Sequence, residues 1–136
     1  MDRITEVLLI EDEALDRELV QELLALKGRG RIRVTEAGDL AAGLSLLGTR
    51  AFDLVMLDTR MRDVSALSAL RAIGEQTPGT PILPHPTFIT PQVRHACLQR
   101  GAFDVAGRGD LEAMWSAVRN LLSLGGDGAG VHRVAS

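Results

Sequence analysis

Two apolar runs, residues 7–10 and 54–57, constrain the fold of this 136-residue chain more than any other feature. Each run is short, contains no polar side chain and ends directly at a carboxylate. Stretches with apolar side chains at helical spacing lie between these runs and three weaker ones. This alternation is typical of a parallel sheet that is covered by helices on both faces. The sequence therefore predicts an α/β domain in the order βαβαβαβαβα.

The predicted strands are residues 7–10, 32–35, 54–57, 82–83 and 103–106. The predicted helices carry apolar stripes that we expect to be buried, and the last stripe is wider than one sheet face needs. Part of that last band is therefore a candidate partner surface, with Trp115 as an anchor. The stripes are Leu15, Leu19, Leu23 and Leu26; then Leu40, Leu44 and Leu47; then Val64, Leu67, Leu70 and Ile73; and, after Asp110 as the predicted N-cap, Leu111, Met114, Trp115, Val118, Leu121 and Leu122.

Composition limits the function classes. With 46% hydrophobic residues, the chain fits one domain over residues 1–124, and the glycine-rich residues 125–136 are expected to form a flexible tail. Fifteen basic and eighteen acidic residues give a net charge of −3, which supplies no electrostatic reason for direct nucleic-acid binding. A single cysteine, Cys97, excludes an internal disulfide and is expected to be a buried filler. No segment has the pattern of a signal peptide or a membrane span, so we expect a cytoplasmic protein without a membrane partner.

Carboxylates follow both apolar runs at the point where each strand should end. Glu11 and Asp12 follow the first run, and Asp58 follows the second. If the two strands are parallel neighbours, the three side chains meet at one sheet edge, where like charges repel. A Mg²⁺ ion would relieve that repulsion and prepare one aspartate to accept a phosphoryl group. The alternative is that these carboxylates are solvated at strand ends, or that Asp58 caps a helix.

In this order and with these residues, the chain resembles the receiver domain of two-component response regulators over roughly residues 5–124. The acidic pair Glu11 and Asp12, the phosphoacceptor position Asp58 and the Gly-Ala-Phe-Asp string at 101–104 carry the resemblance. It implies a flavodoxin-like five-stranded parallel sheet in the order 2-1-3-4-5. It also implies that Asp58 receives a phosphoryl group with Mg²⁺, and that the backbone carbonyl of Arg60 is a further metal ligand.

The resemblance also implies partners. The phosphoryl donor would be a histidine kinase or a phosphotransfer protein, and a downstream protein or a homodimer would use the face between helix 4 and helix 5. The chain is then a signalling domain without an independent substrate. Enzymes that hydrolyse aspartyl phosphates need a second aspartate two residues after the nucleophile, where this chain has Arg60.

Departures from the family pattern concentrate on the residues that respond to the phosphoryl group. Pro86 stands where receivers have Thr or Ser, and two interpretations of the next residue, Thr87, stay open: a substitute hydroxyl, or ordinary turn chemistry. Arg108 replaces the family lysine, which keeps the charge but changes its geometry. Val105 replaces the aromatic residue of strand five. Two hypotheses follow: a phosphoacceptor with unusual output, or a non-phosphorylated pseudo-receiver that serves as a constitutive docking module.

Prolines also bear on strand four. Because proline has no N–H, Pro84 and Pro86 are expected to end this strand early. His85 lies between them and is expected to be a loop histidine without a chemical role; the alternative is a metal or phosphoryl ligand.

Overall fold

The computed structural model describes residues 3–60 and 65–126 of the chain. These residues form four strands and five helices in an α/β arrangement. The strands are β1 (Thr5–Ile10), β2 (Ile32–Ala37), β3 (Leu54–Asp58) and β4 (Ile82–His85); the helices are α1 (Ala14–Gly28), α2 (Leu40–Leu47), α3 (Ala66–Gln76), α4 (Pro91–Gln99) and α5 (Leu111–Gly126). In the described part of the chain, no helix is both long and apolar enough to cross a membrane.

The sheet is parallel, with the strand order β2-β1-β3-β4. In the pairing of β1 with β3, Ile10 lies opposite Leu57. The apolar runs at residues 7–10 and 54–57 are therefore neighbours in register, and every residue in both runs is fully buried. The prediction that both strands end at the same edge of the sheet is confirmed.

The predicted fifth strand is wrong for the described residues, where 103–106 form no named strand. The segment still runs beside β4, with one bridge between Ile82 and Ala102 and hydrogen bonds from the Phe103 N–H to the Ile82 carbonyl (2.8 Å) and from the Ala106 N–H to the Pro84 carbonyl (3.2 Å). Its partners on β4 can accept hydrogen bonds, but Pro84 has no N–H to return one. The ladder is therefore incomplete on this side.

The expectation that Pro84 ends β4 early is also wrong, because the strand continues to His85, which pairs with Asp58 of β3. Backbone groups of successive strand residues point to opposite edges. The Pro81 carbonyl accepts from Val55 of β3, whereas the Ile82 carbonyl accepts from Phe103 on the other side. The backbone position at which Pro84 lacks an N–H therefore faces away from β3. The pairing of β4 with β3 is retained, whereas the segment 103–106 lacks a complete hydrogen-bond ladder with β4.

Two apolar clusters cover the two faces of the sheet. One joins α2, α3 and α4 to the sheet and contains buried Leu47, Leu70, Ile73 and Cys97. The other joins α1 and α5 to the opposite face. The expected role of Cys97 as a buried filler is confirmed.

The predicted buried stripe of α1 is wrong except at Leu23, which is partly buried. Leu15, Leu19 and Leu26 are 62%, 44% and 75% exposed, and the helix instead buries Val20, Leu24 and Gly28. Gly28 explains why this row faces the sheet, since a Cβ there would lie 2.8 Å from the Ile32 side chain. The end of α1 therefore approaches β2 more closely than any larger residue allows.

The other helices follow their predicted stripes more closely. Leu47, Leu70 and Ile73 are buried, although Leu67 is 37% exposed, and Val64 lies outside the described residues. In α5, Met114 and Val118 are buried, and the remaining predicted band, Leu111, Trp115, Leu121 and Leu122, is partly buried against the same cluster. Asp110 caps this helix by accepting from the Ala113 N–H at 3.0 Å. The helix includes Gly125 and Gly126, and the rest of the predicted tail lies outside the described residues.

Candidate acidic site

Three carboxylates meet at the carboxyl edge of the sheet. Glu11 and Asp12 follow β1, and Asp58 is the last residue of β3. Glu11 and Asp58 are 2% and 1% exposed, and Asp12 is half-buried. One carboxylate oxygen from each residue lies within 4.8 Å of the others. The parallel register of β1 and β3 is what places them together.

Arg108 provides the positive charge in this pocket. Its Nη1 donates to Asp58 Oδ1 at 2.6 Å and lies 3.6 Å from Glu11 Oε2, while its Nη2 donates to Asp16 of α1. The Arg108 backbone N–H donates to the Pro86 carbonyl at 2.8 Å, which fixes the loop that carries the side chain. One guanidinium group therefore compensates carboxylates from three elements of the fold.

Glu11 and Asp58 share one proton, which Glu11 binds more tightly than Asp58 does. Burial, together with a hydrogen bond to Asp58 and the charge of Asp58, raises the pKa of Glu11 to about 8. Burial also acts to raise the pKa of Asp58, but hydrogen bonds from Glu11, from the Arg60 N–H (3.0 Å) and from Arg108 outweigh it and lower that pKa. At neutral pH, Asp58 is therefore the ionised member of the pair, which is the state that a nucleophile requires.

The second oxygen of Asp58 provides a test of whether a metal fits this pocket. When Glu11 is ionised, Asp58 Oδ2 is buried and has no hydrogen-bond donor among the described residues. A buried polar atom without a partner is costly. Mg²⁺ prefers carboxylate oxygens as ligands, and Glu11, Asp12 and Asp58 together offer three of them. The residues present therefore fit this ion.

Other residues that the sequence singled out lie around this pocket. Arg60 is exposed and contacts Asp58 through its N–H, as described above. Thr87 is exposed in the loop after β4, whereas Pro86 before it is buried. Val105 is buried in the cluster on the α2, α3 and α4 side. The proposed roles of the Arg60 carbonyl and the Thr87 hydroxyl stay predictions.

Sequence reasoning missed two residues of the site, Asp16 and His85. Asp16 lies in the first turn of α1 and accepts from Arg108; its position shortly after Asp12, in the predicted first helix, was the available signal. His85 is a buried strand residue opposite Asp58, not a loop histidine, so that expectation is wrong. Burial, reinforced by Arg108 and opposed by Asp58, lowers the pKa of His85 to about 4, so its ring is neutral at pH 7. Together with Glu11, Asp16 and Arg108 it lines a cavity of about 50 Å³.

Comparison with known sequences identifies the class of domain. Residues 7–107 match the family described as the response regulator receiver domain. The sensor histidine kinase AruS of Pseudomonas aeruginosa is 36% identical over 107 residues, which are 76% of this chain and 10% of that protein. The transcriptional activator protein PfeR of the same organism is 35% identical over 98 residues, 72% of this chain and 31% of PfeR. The chain belongs to the response regulator receiver domain family, and it spans only a minor part of these relatives.

Solved structures share the fold. The chemotaxis protein CheY4 of Vibrio cholerae superposes with a TM-score of 0.76 at 22% identity, over 88% of this chain and 99% of CheY4. The receiver domain of the sensor histidine kinase PA1611 from Pseudomonas aeruginosa gives 0.72 at 25% identity, over 88% of this chain and 96% of that domain. That domain was solved with a magnesium ion coordinated in its active-site cleft. The fold of this chain is the flavodoxin-like receiver fold.

Proposed function

We propose that this chain is a phosphoacceptor in two-component signalling, in which Asp58 accepts a phosphoryl group from a histidine kinase or a phosphotransfer protein. The observation that carries the proposal is the state of Asp58: it is buried, its pKa is lowered, and Arg108 and the Arg60 N–H hold one of its oxygens while the other has no donor once Glu11 loses its proton. A carboxylate in that state is ionised and oriented without being fully satisfied, as a nucleophile must be.

The transfer itself needs little from the protein beyond positioning and charge. An oxygen of Asp58 attacks the phosphorus of a phosphohistidine, so that a P–O bond forms while the P–N bond breaks. The leaving imidazole nitrogen keeps the electron pair of that bond. Glu11, Asp12 and Asp58, with the Arg60 carbonyl as a fourth proposed ligand, would hold Mg²⁺, which supplies neutralising charge for the carboxylates and the phosphoryl oxygens. The magnesium in the PA1611 receiver domain supports this proposal.

Arg108 is the proposed protein contact of the phosphoryl group. Its guanidinium already lies on Asp58 Oδ1 at 2.6 Å, so an added phosphoryl group would form within its reach. Thr87 is the second candidate, because its hydroxyl is the nearest in sequence to the buried Pro86. Because Thr87 is exposed, we expect the β4–α4 loop to shift when that hydroxyl contributes.

A pseudo-receiver that docks constitutively is the alternative, and two observations favour it. Pro86 is buried at the position of the expected hydroxyl, and Arg108 already pairs with the charge of Asp58. In this account, the face between α4 and α5 would bind a downstream protein or a second copy whether or not Asp58 is modified. Phe88 (78% exposed), in the loop before α4, and Leu98 (44% exposed), on α4, are apolar surface residues that support such a docking role.

The two accounts separate in a binding experiment with beryllofluoride, a mimic of the phosphoryl group. We expect saturable, Mg²⁺-dependent binding, followed by Trp115 fluorescence and by nuclear magnetic resonance shifts, that disappears in Asp58→Asn. Asp39→Asn is the matched control, since it removes one carboxylate near the same sheet edge but retains a side-chain cap for α2. If the unsubstituted protein does not bind at millimolar Mg²⁺, the docking account replaces the phosphoacceptor account.

The proposed domain extends over residues 1–124, and residues 125–136 are a proposed tail or linker whose first two residues continue α5. Phosphoryl supply by a histidine kinase places the proposed site of action in the cytoplasm.

A further inference from the structure

Asp16 is a fourth carboxylate beside the three candidate metal ligands, and it does not share their geometry. It lies on α1, its side chain is 30% exposed, and it accepts a hydrogen bond from Arg108 Nη2. Glu11, Asp12 and Asp58 form the compact group whose oxygens lie within 4.8 Å, and Asp16 is not part of that group. Among the described residues of the site, Asp16 therefore contacts Arg108 and does not belong to the proposed metal ligands.

Arg108 is held at three points. Its backbone N–H is bonded to the Pro86 carbonyl, Nη1 is bonded to Asp58 Oδ1, and Nη2 is bonded to Asp16. The side chain is only 11% exposed. A guanidinium group can serve two carboxylates at once because its N–H groups form a rigid planar fork, whereas a lysine ammonium is a single point. The replacement of the family lysine by Arg108 thus gives Asp16 a partner.

We infer that Asp16 is a positioning residue for phosphoryl binding: it holds one arm of Arg108 so that the other arm meets the group on Asp58. This inference rests on the proposed function. Without Asp16, the guanidinium would keep one anchor and could rotate about it, so a phosphoryl group would have to order the side chain on binding. Groups oriented before binding give higher affinity because this ordering has already taken place.

The sign of the expected effect separates positioning from plain electrostatics. Asp16 is negative, so removing its charge would by itself strengthen binding of an anion at Asp58. Positioning predicts the opposite, a weaker complex. A loss of affinity in Asp16→Asn cannot therefore be attributed to the charge of Asp16.

The test is the affinity for beryllofluoride at saturating Mg²⁺, measured in a double-mutant cycle. We expect Asp16→Asn to weaken binding about three- to tenfold, because a charge-assisted hydrogen bond that orients Arg108 is replaced by a weaker neutral one. In the Arg108→Lys background, the same substitution is expected to change affinity by less than about twofold, because a single ammonium cannot bridge both carboxylates. Asp16→Glu, which keeps the carboxylate, is expected to recover most of the lost affinity.

A second readout follows the arginine directly. In nitrogen-15 spectra, slow rotation of the Arg108 guanidinium should give separate Nη signals in the unsubstituted protein and averaged signals in Asp16→Asn. An unchanged or tighter complex in Asp16→Asn, or an equal loss in the Arg108→Lys background, would overturn the inference while leaving the phosphoacceptor proposal intact. If the unsubstituted protein fails to bind beryllofluoride at all, the proposed function itself fails.

Discussion

Removing the charge of Arg108 tests whether the acidic pocket depends on an internal cation. In the metal-free protein, Arg108 faces Asp58 and Glu11, whose side chains are 0% and 2% exposed, and Asp16, which is 30% exposed. Arg108→Met keeps a long unbranched side chain but removes its positive charge. Asp58 would then be left as a buried charge without its cation.

The expected loss of stability depends on how deeply the ion pair between Arg108 and Asp58 is buried. Exposed ion pairs contribute about 0–1 kcal/mol, whereas breaking a buried pair costs about 3–5 kcal/mol. Because the pKa of Glu11 is raised to about 8, this residue holds a proton at neutral pH and adds no second buried charge. We therefore expect Arg108→Met to lower the free energy of unfolding by about 3 kcal/mol, the lower end of the buried range. Arg108→Lys keeps the charge but loses one arm, and should cost about 1.5 kcal/mol.

Urea denaturation followed by circular dichroism measures these losses, at neutral pH in the presence of a chelator and again with Mg²⁺. An ion whose free concentration is a hundred times its Kd stabilises the folded protein by about 2.7 kcal/mol. Because Arg108 no longer competes for Asp58, Arg108→Met should gain more from Mg²⁺ than the unsubstituted protein does. A loss below about 1 kcal/mol without metal would place the pair in the exposed class and refute the reasoning.

Three further predictions concern the site edge and the packing that supports it. In metal-free protein, the raised pKa of Glu11 means that its contribution to stability is complete below pH 4.5 and is lost as pH rises through about 8. The lowered pKa of His85, about 4, gives an opposite trend that ends near pH 6.5, so the free energy of unfolding should fall by up to about 1.4 kcal/mol per unit between about pH 6.5 and 8 and level off above that range; a profile that keeps this slope in Glu11→Gln would contradict the assignment. Gly43→Ala places a Cβ 2.5 Å from buried Ile10 and should lower the free energy of unfolding by about 1–3 kcal/mol. Gly74→Ala is the control, because its Cβ meets no atom within 4 Å, and it should raise that free energy by about 0.5–1 kcal/mol. Equal thermal shifts in the two variants would contradict the close packing of α2 on β1. Pro84→Ala restores a donor towards the neighbouring segment, so the new amide should be protected from hydrogen exchange, and exchange at the rate of an unfolded chain would refute the account of the missing fifth strand.

The sheet and the three carboxylates could be predicted from sequence because one physical rule fixes both. Apolar runs buried on both faces pair in parallel, and parallel strands end at the same edge. Glu11 and Asp58 therefore had to lie together once β1 and β3 were recognised as neighbours. The strand order of β2, β1, β3 and β4 agrees with the first four positions of the predicted order.

The helix faces and the fifth strand could not be predicted in the same way. In α1, two rows of apolar residues have helical spacing, and the row of Val20 and Leu24 that faces the sheet is the one that includes the close approach of Gly28 to β2. The effect of Pro84 depended on which edge of β4 its missing donor faces, and periodicity does not contain that information. Pro84 therefore removes a hydrogen-bond donor towards the segment 103–106 and leaves the pairing of β4 with β3 intact.

The missed site residues, Asp16 and His85, show the same limit. A carboxylate in the first turn of a helix is common for reasons of helix electrostatics alone. Its role at this site became visible only when Arg108, 92 residues later, was found to donate to it. His85 became a buried strand residue because β4 continues through Pro84.

Phosphorylation by phosphoramidate, a small donor whose P–N bond resembles that of phosphohistidine, tests the central claim most directly. The intact mass of the protein would be followed in Mg²⁺ and in chelator, for the unsubstituted chain, Asp58→Asn and the Asp39→Asn control. We predict one added phosphoryl group that requires Mg²⁺, is absent in Asp58→Asn and is removed by hydroxylamine, as an acyl phosphate should be. An unmodified mass in Mg²⁺, or equal modification of Asp58→Asn, would contradict the assignment of Asp58 as the phosphoacceptor.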